Sequence, residues 1–294
     1  MTGKPCYQNA LVSLTGDRKE NQDRCTLVES GSNLLLGLAD GMGGHPRGGT
    51  AAQILIENCN NLLHRTPQPI KNPRLFLGRL LQGTHQDIVD FGLTQTPAID
   101  PRTTAVAAII QNNTAYWAHV GDSRLYLFRN GETIARTVDH SYVQQLHHQG
   151  LISERHLLSH PQRNLVTRCL GGAPAPPDIE FGQSELKPGD LVVVCSDGLW
   201  SSIGEEWICD TLASGLDITD SAKSLADEAA LAAFPGSDNI TLIALKWLSG
   251  SKKDEVLISE SPAKPPTTSD LDQAITDLQD FLDSFEDGNQ QKQG

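Results

Sequence analysis

"LLLGLADGMGGHPRGG", residues 34–49, runs from an apolar strand into Asp40 and then into a stretch almost without side chains. A buried strand that ends on a carboxylate needs a reason, because an ionised group taken out of water is costly unless another charge offsets it. The pattern recurs. "AYWAHVGDS" (115–123) ends at Asp122 and "LVVVCSDG" (191–198) at Asp197, each an apolar run, a small residue, then Asp followed by Gly or Ser. Two segments run the other way: "NQDRCTLVE" (21–29) sets Asp23 just before a strand, and "GSDNITLIALKW" (236–247) sets Asp238 just before another.

The spacing around these segments predicts strands over 24–29, 34–39, 104–110, 114–120, 124–129, 133–137, 165–170, 191–195 and 240–247. Helices are expected over 48–64, 72–91, 141–149, 153–158, 204–213 and 219–233, with Ser141 and Ser153 as N-caps and Gly150 at a C-terminus. Consecutive strands joined by turns such as "RNGE" (129–132) favour antiparallel sheets, so the class is α+β. In antiparallel sheets the end of one strand and the start of its neighbour share an edge, so three Asp that end strands and two that start them can face one rim.

Such a rim must hold something. Two carboxylates about 4 Å apart repel by roughly 4 kcal/mol at an effective dielectric near 20, and five together are untenable without cations or protons. The candidate ligands are all oxygen, which favours Mg²⁺ or Mn²⁺ over Zn²⁺. Gly41 lets the backbone come close enough for its carbonyl to join them. Two ions about 4 Å apart can bridge and acidify one water while neutralising a phosphoryl oxygen. An Arg that grips the phosphate is then wanted, and Arg18 in "GDRKENQD" (16–23) is in reach of the same rim. His45 and His140 sit beside these motifs as candidate proton donors to the leaving oxygen, whereas His119 reads as a core histidine. No G-x-S-x-G, P-loop or C-x5-R motif offers a side-chain nucleophile.

The 294 residues are 38% hydrophobic, enough for a substantial core. A formal charge of −13 argues against nucleic acid as a partner. No signal peptide or bilayer-length apolar run is found, so a cytoplasmic protein without membrane contact is expected, acting as a monomer. The six cysteines lack C-x-x-C spacing and read as free thiols. After Trp247 the pattern breaks: residues 249–268 read as a linker, and 269–294 as an acidic amphipathic tail helix carrying Leu271, Ile275, Leu278, Leu282 and Phe285. From Lys252 onward four Lys face ten acidic residues, so the tail is a candidate for docking on a partner.

"RKENQD" (18–23), "LADGMGGHPRGGTAA" (38–52), "RTTAVAAI" (102–109), "AHVGDSRLYLFRNG" (118–131), "HPQRNLVTRCLGG" (160–172), "CSDGLW" (195–200) and "SDNITLI" (237–243) stand in the order found in metal-dependent protein phosphatases of type 2C, bacterial branch. The chain resembles that family over residues 7–247. The resemblance implies a four-layer αββα sandwich of two antiparallel sheets flanked by helices, here a catalytic domain over 1–248 with a small flap subdomain near 139–168. It implies a bridging ligand at Asp40, a carbonyl ligand at Gly41, further ligands at Asp23, Asp197 and Asp238, and a more weakly held third ion on Asp122 with Asp197. Arg18 matches the phosphate-binding Arg. Eukaryotic relatives carry His where this chain has Met42, and His45 is the bacterial feature nearby. The expectation is a Mn²⁺- or Mg²⁺-dependent phosphatase that removes phosphate from phosphoserine and phosphothreonine on proteins through a metal-bridged hydroxide. A docking protein that keeps the metals, and a metal-dependent phosphodiesterase, are the competing readings.

Overall fold

Residues 34–39 are buried without exception, so this strand is covered on both faces and sits inside a layered structure. The computed structural model describes residues 6–42, 44, 47–172 and 174–249. His45 and the expected tail helix lie outside the described residues, as does nearly all of the expected linker.

In chain order the elements begin with β1 (Cys6–Leu14), β2 (Asp23–Ser30), β3 (Asn33–Asp40), α1 (Gly48–Arg65) and α2 (Pro73–Thr94). There follow β4 (Arg102–Thr103), β5 (Ala105–Gln111), β6 (Thr114–Val120), β7 (Arg124–Arg129), β8 (Glu132–Arg136) and α3 (Tyr142–His148). After a 3-10 turn at Glu154–His156 come β9 (Leu170–Gly171), β10 (Glu180–Glu185), β11 (Leu191–Cys195) and α4 (Asp197–Trp200). The described chain closes with α5 (Glu205–Ala213), α6 (Ile218–Ala232) and β12 (Ile240–Ser249).

Two five-stranded antiparallel sheets result, ordered β1-β12-β11-β7-β8 and β10-β6-β5-β3-β2. Three apolar cores separate four layers. Alternate residues Leu34, Leu36 and Leu38 of β3 meet Leu125, Leu127, Val192, Val194, Ile243 and Leu245 between the sheets. On the opposite face of β3, Leu35 and Ala39 pack with α1 and α2 through Leu55, Leu63, Leu77 and Leu81. The other sheet turns Tyr126, Phe128 and Val193 toward Ile208, Leu212, Leu225 and Ala229 of α5 and α6. This is the αββα sandwich of an α+β protein.

Local chemistry explains the joints. The β7–β8 hairpin turns on Asn130 and Gly131, both left-handed at φ 53° and 81°, as a two-residue turn of this type requires. Pro73 occupies the first turn of α2, and the Asn72 side chain accepts from the Leu75 N–H at 3.0 Å. Ser141 caps α3 as expected, accepting from the Gln144 N–H at 3.3 Å, and Gly150 follows that helix at φ 71°.

Two expectations fail, both between 139 and 171. Of the expected strand 165–170 only Leu170 pairs within a strand, because the preceding backbone is used to close a loop. There the Tyr142 N–H donates to Leu165 O at 2.8 Å, and Ser141 and Val166 form a single bridge. The expected helix 153–158 is only a 3-10 turn: the Ser153 hydroxyl meets His156 Nδ1 at 2.9 Å and leaves the backbone uncapped. All six cysteines are free thiols. Among the described residues no helix is long and apolar enough to cross a membrane.

Candidate active site

The register of the sheets puts the five aspartates together. Asp23 and Asp40 face each other across the β2–β3 pair. Leu38 of β3 pairs with Val106 of β5, and Ala105 with Val120 of β6, so Asp122, two residues beyond β6, lies at the same end of that sheet. In the other sheet Cys195 pairs with Leu242, which sets Asp197 and Asp238 at one end of β11 and β12. Asp40 comes within hydrogen-bonding reach of both Asp23 and Asp197.

Buried carboxylates in mutual contact hold protons tightly. Burial first, and the neighbouring carboxylates next, push Asp40 and Asp197 well above the usual range. Asp122 rises to about 7, through burial and then Asp139. Burial raises Asp23 to about 6, although hydrogen bonds from Ser196 and Thr241 pull the other way.

At Gly41 the backbone passes close to neighbouring backbone. A Cβ there would stand 2.4 Å from the carbonyl carbon of Gly48 and 2.8 Å from Gln22 O, so any larger residue would displace backbone. Arg18 lies at the rim, 55% exposed, and its Nη2 donates to Asp238 Oδ2 at 2.6 Å. With Gln22, Asp40, Gly41 and Asp238 it lines an open cleft.

A family model described as protein phosphatase 2C matches residues 15–234. The chain belongs to the protein phosphatase 2C family. A protein phosphatase 2C-type protein of Streptococcus pyogenes is 34% identical over 227 residues, 76% of this chain and 91% of that one. The solved serine/threonine phosphatase of S. agalactiae superposes with a TM-score of 0.75 at 29% identity, covering 83% of this chain and 100% of that one. The catalytic domain of the serine/threonine protein phosphatase PstP, solved in complex with two manganese ions, gives a TM-score of 0.69 at 29% identity, covering 83% and 99%. This chain is a protein phosphatase of that family, a hydrolase.

Within the phosphatase, two buried carboxylate oxygens, Asp23 Oδ1 and Asp197 Oδ1, have no hydrogen-bond partner. An unpartnered buried oxygen is costly, and a hard divalent cation is the chemistry that satisfies it. The donor set therefore fits divalent ions.

Sequence reading missed the residues that hold these groups in place. The Ser196 hydroxyl donates to Asp23 Oδ2 at 2.7 Å and accepts from the Thr241 N–H at 3.0 Å. Asp40 is fixed through its backbone: its N–H donates to Thr104 Oγ1, and its carbonyl accepts from the Thr104 N–H and the Thr103 hydroxyl. Asn239 ties the Arg18 loop to β12, donating to Thr15 O and Glu20 O while accepting from the Gln22 N–H. Each lies inside a quoted motif, and Ser196 and Asn239 stand next to an aspartate, which was the one signal available. His140 corrects an expectation: its Nδ1 accepts from the Gly121 N–H at 3.1 Å, so this ring braces a turn and is not a proton donor at the site.

Proposed function

We propose that this phosphatase hydrolyses phosphoserine and phosphothreonine monoesters on proteins at the carboxylate rim, with Mn²⁺ or Mg²⁺ held by Asp23, Asp40, Gly41 O, Asp197 and Asp238. A third, weaker site on Asp122 and Asp197 completes the proposal. The observation that carries it is the convergence of five aspartates from two sheets, two of them with unpartnered buried oxygens. When bound, the ions supply Lewis acidity for water activation and for phosphoryl charge.

The chain's own groups do the rest. Asp40 lies within hydrogen-bonding reach of both Asp23 and Asp197, so its carboxylate would be a ligand that bound ions could share. Arg18 grips the phosphate at the open rim, orienting it while Asp238 steadies the guanidinium from behind. Segment 139–168 stands beside the site as the flap that meets the protein substrate, and 1–248 is the catalytic domain. A cytoplasmic, monomeric enzyme that attacks the ester directly, without a phosphoenzyme, is the consistent whole. His45 is retained in this reading, as the donor to the leaving oxygen or as a contact to the substrate.

The test is phosphate release from p-nitrophenyl phosphate, a phosphothreonine peptide and a phosphodiester, with Mn²⁺, Mg²⁺ or EDTA. Metal-dependent turnover of the two monoesters and neglect of the diester is expected. Metal binding without turnover would leave a docking protein, and diester cleavage a phosphodiesterase.

A further inference from the structure

Arg18 sits in the connection between β1 and β2, residues 15–22, and its grip on a phosphate depends on how that connection is held. Its ion pair with Asp238 is exposed on both sides, 55% and 36%, and such pairs contribute little, because water screens them and two side chains lose freedom. Asn239 anchors the two ends of the connection, through Thr15 O, Glu20 O and the Gln22 N–H. The middle, where Arg18 stands, needs its own fastening.

Asp17, the residue before Arg18, supplies it. Its Oδ2 accepts from the Gly236 N–H at 2.8 Å, the Ser237 N–H at 3.0 Å and the Ser237 hydroxyl at 3.1 Å. In return the Asp17 N–H donates to Ser237 Oγ at 3.0 Å and to Ser237 O at 3.1 Å. Hydrogen bonds to an ionised carboxylate are roughly twice as strong as neutral ones. Ser237 is 3% exposed, so the exposed Asp17 is tied to a buried partner. Glycine permits the close approach: Gly16 lies at φ 61°, and a Cβ there would stand 2.1 Å from Asp238 O.

The clamped pair, Asp17 and Ser237, precedes the functional pair, Arg18 and Asp238, by one residue on each side. The clamp therefore fixes the backbone from which the guanidinium reaches the rim. Without it, each phosphate that binds would have to order the loop as well as the long Arg18 side chain, and that ordering weakens binding. We propose that Asp17 is a positioning residue for the phosphatase reaction: clamped to Gly236 and Ser237, it holds Arg18 beside Asp238, ready for the phosphate. The proposal rests on the phosphatase reading of the carboxylate rim.

The full chain with Mn²⁺ would be assayed on p-nitrophenyl phosphate, with inorganic phosphate as a competitive inhibitor. Asp17→Ala should raise KM and the phosphate inhibition constant together, on the order of five-fold, with kcat within about two-fold of the wild type. Asp17→Asn, whose amide oxygen can still accept from both N–H groups, should return both constants to within about two-fold. Added to Arg18→Ala, the Asp17→Ala change should move KM by less than about two-fold, because a residue acting through Arg18 has nothing left to place. Ser237→Ala, which deletes only the hydroxyl, should shift both constants the same way by about three-fold, and supplies the reading if Asp17→Ala does not fold. Calorimetry should find Mn²⁺ bound in equal number and affinity by the wild type and Asp17→Ala. Unchanged constants in Asp17→Ala or, where that does not fold, in Ser237→Ala would overturn the proposal. So would an Asp17→Asn protein as impaired as Asp17→Ala, a full additional loss in the Arg18→Ala background, or weakened Mn²⁺ binding. A wild type that fails on p-nitrophenyl phosphate would instead overturn the phosphatase reading beneath it.

Discussion

Asp40 is held by its backbone and used through its side chain. Because Thr103 and Thr104 fix its N–H and carbonyl, Asp40→Asn should keep the strand end in place while removing the charge. Phosphate release from p-nitrophenyl phosphate should then fall by at least about a thousand-fold, the loss of several kcal/mol of charge stabilisation. The metal-free melting temperature should stay equal or rise, since one buried like charge is gone. Asp197→Asn should behave alike. A variant as active as the wild type would remove the residue from the site. Asp122→Ala is expected to slow turnover while calorimetry still finds two bound ions. Arg18→Ala should raise KM for phosphate esters on the order of ten-fold, since a charge-assisted hydrogen bond to substrate is lost. The aspartates were legible because the same short context repeats three times in the chain. Ser196 was not, because a serine is common and its partner, Asp23, lies 173 residues away.

The element that most escaped sequence reading is the segment between β8 and β9, whose base is pinned by His140. Its N–H donates to Gly121 O at 2.9 Å, and its carbonyl accepts from the Thr167 N–H at 2.7 Å, so one residue joins both ends of the segment to the turn before Asp122. The His140 ring stacks on His119 at 4.6 Å, and Glu180 and Arg168 both lie 3.3 Å from its Nε2. Burial first, and His119 next, push His140 down from 6.5 to about 4 despite Glu180. Between these two values the unfolded chain binds the extra proton, so the stability gained by keeping His140 neutral is present above pH 6.5 and lost as pH falls toward 4. His140→Gln, which keeps an acceptor for Gly121, should flatten the fall in melting temperature across that window; parallel curves for the two proteins would refute the assignment. Elements with strong patterns were legible, down to the residue for 191–195. β1 and β10 were not: most of their residues are exposed or half-buried, so neither shows a clean apolar alternation, and each is an edge strand defined by its partner.

At the scale of the molecule, β3 shows why four layers were beyond periodicity. A strand apolar at every position announces two covered faces, but not what covers them; the family resemblance supplied that, and the three cores bear it out. The same cores bear on how much of the chain the site needs. The buried apolar residues described in them lie between Ala10 and Trp247, and all five aspartates fall inside that span. Divalent ions that relieve the repulsion at the rim bind only the folded state, so they should stabilise it by mass action. A site at a hundred times its dissociation constant contributes about 2.7 kcal/mol, which for a domain of this size is roughly 5–10 °C in melting temperature. The full chain and a version ending at Lys252 should both gain this on Mn²⁺ addition, lose it to EDTA, and hydrolyse p-nitrophenyl phosphate within about two-fold of each other, because no described part of core or site has been removed. If the shorter chain instead melts lower without metal, the acidic tail contributes to the fold. If it melts the same but turns over several-fold faster, the tail competes with substrate for the rim, and it would be an internal regulator instead of a segment for docking on a partner.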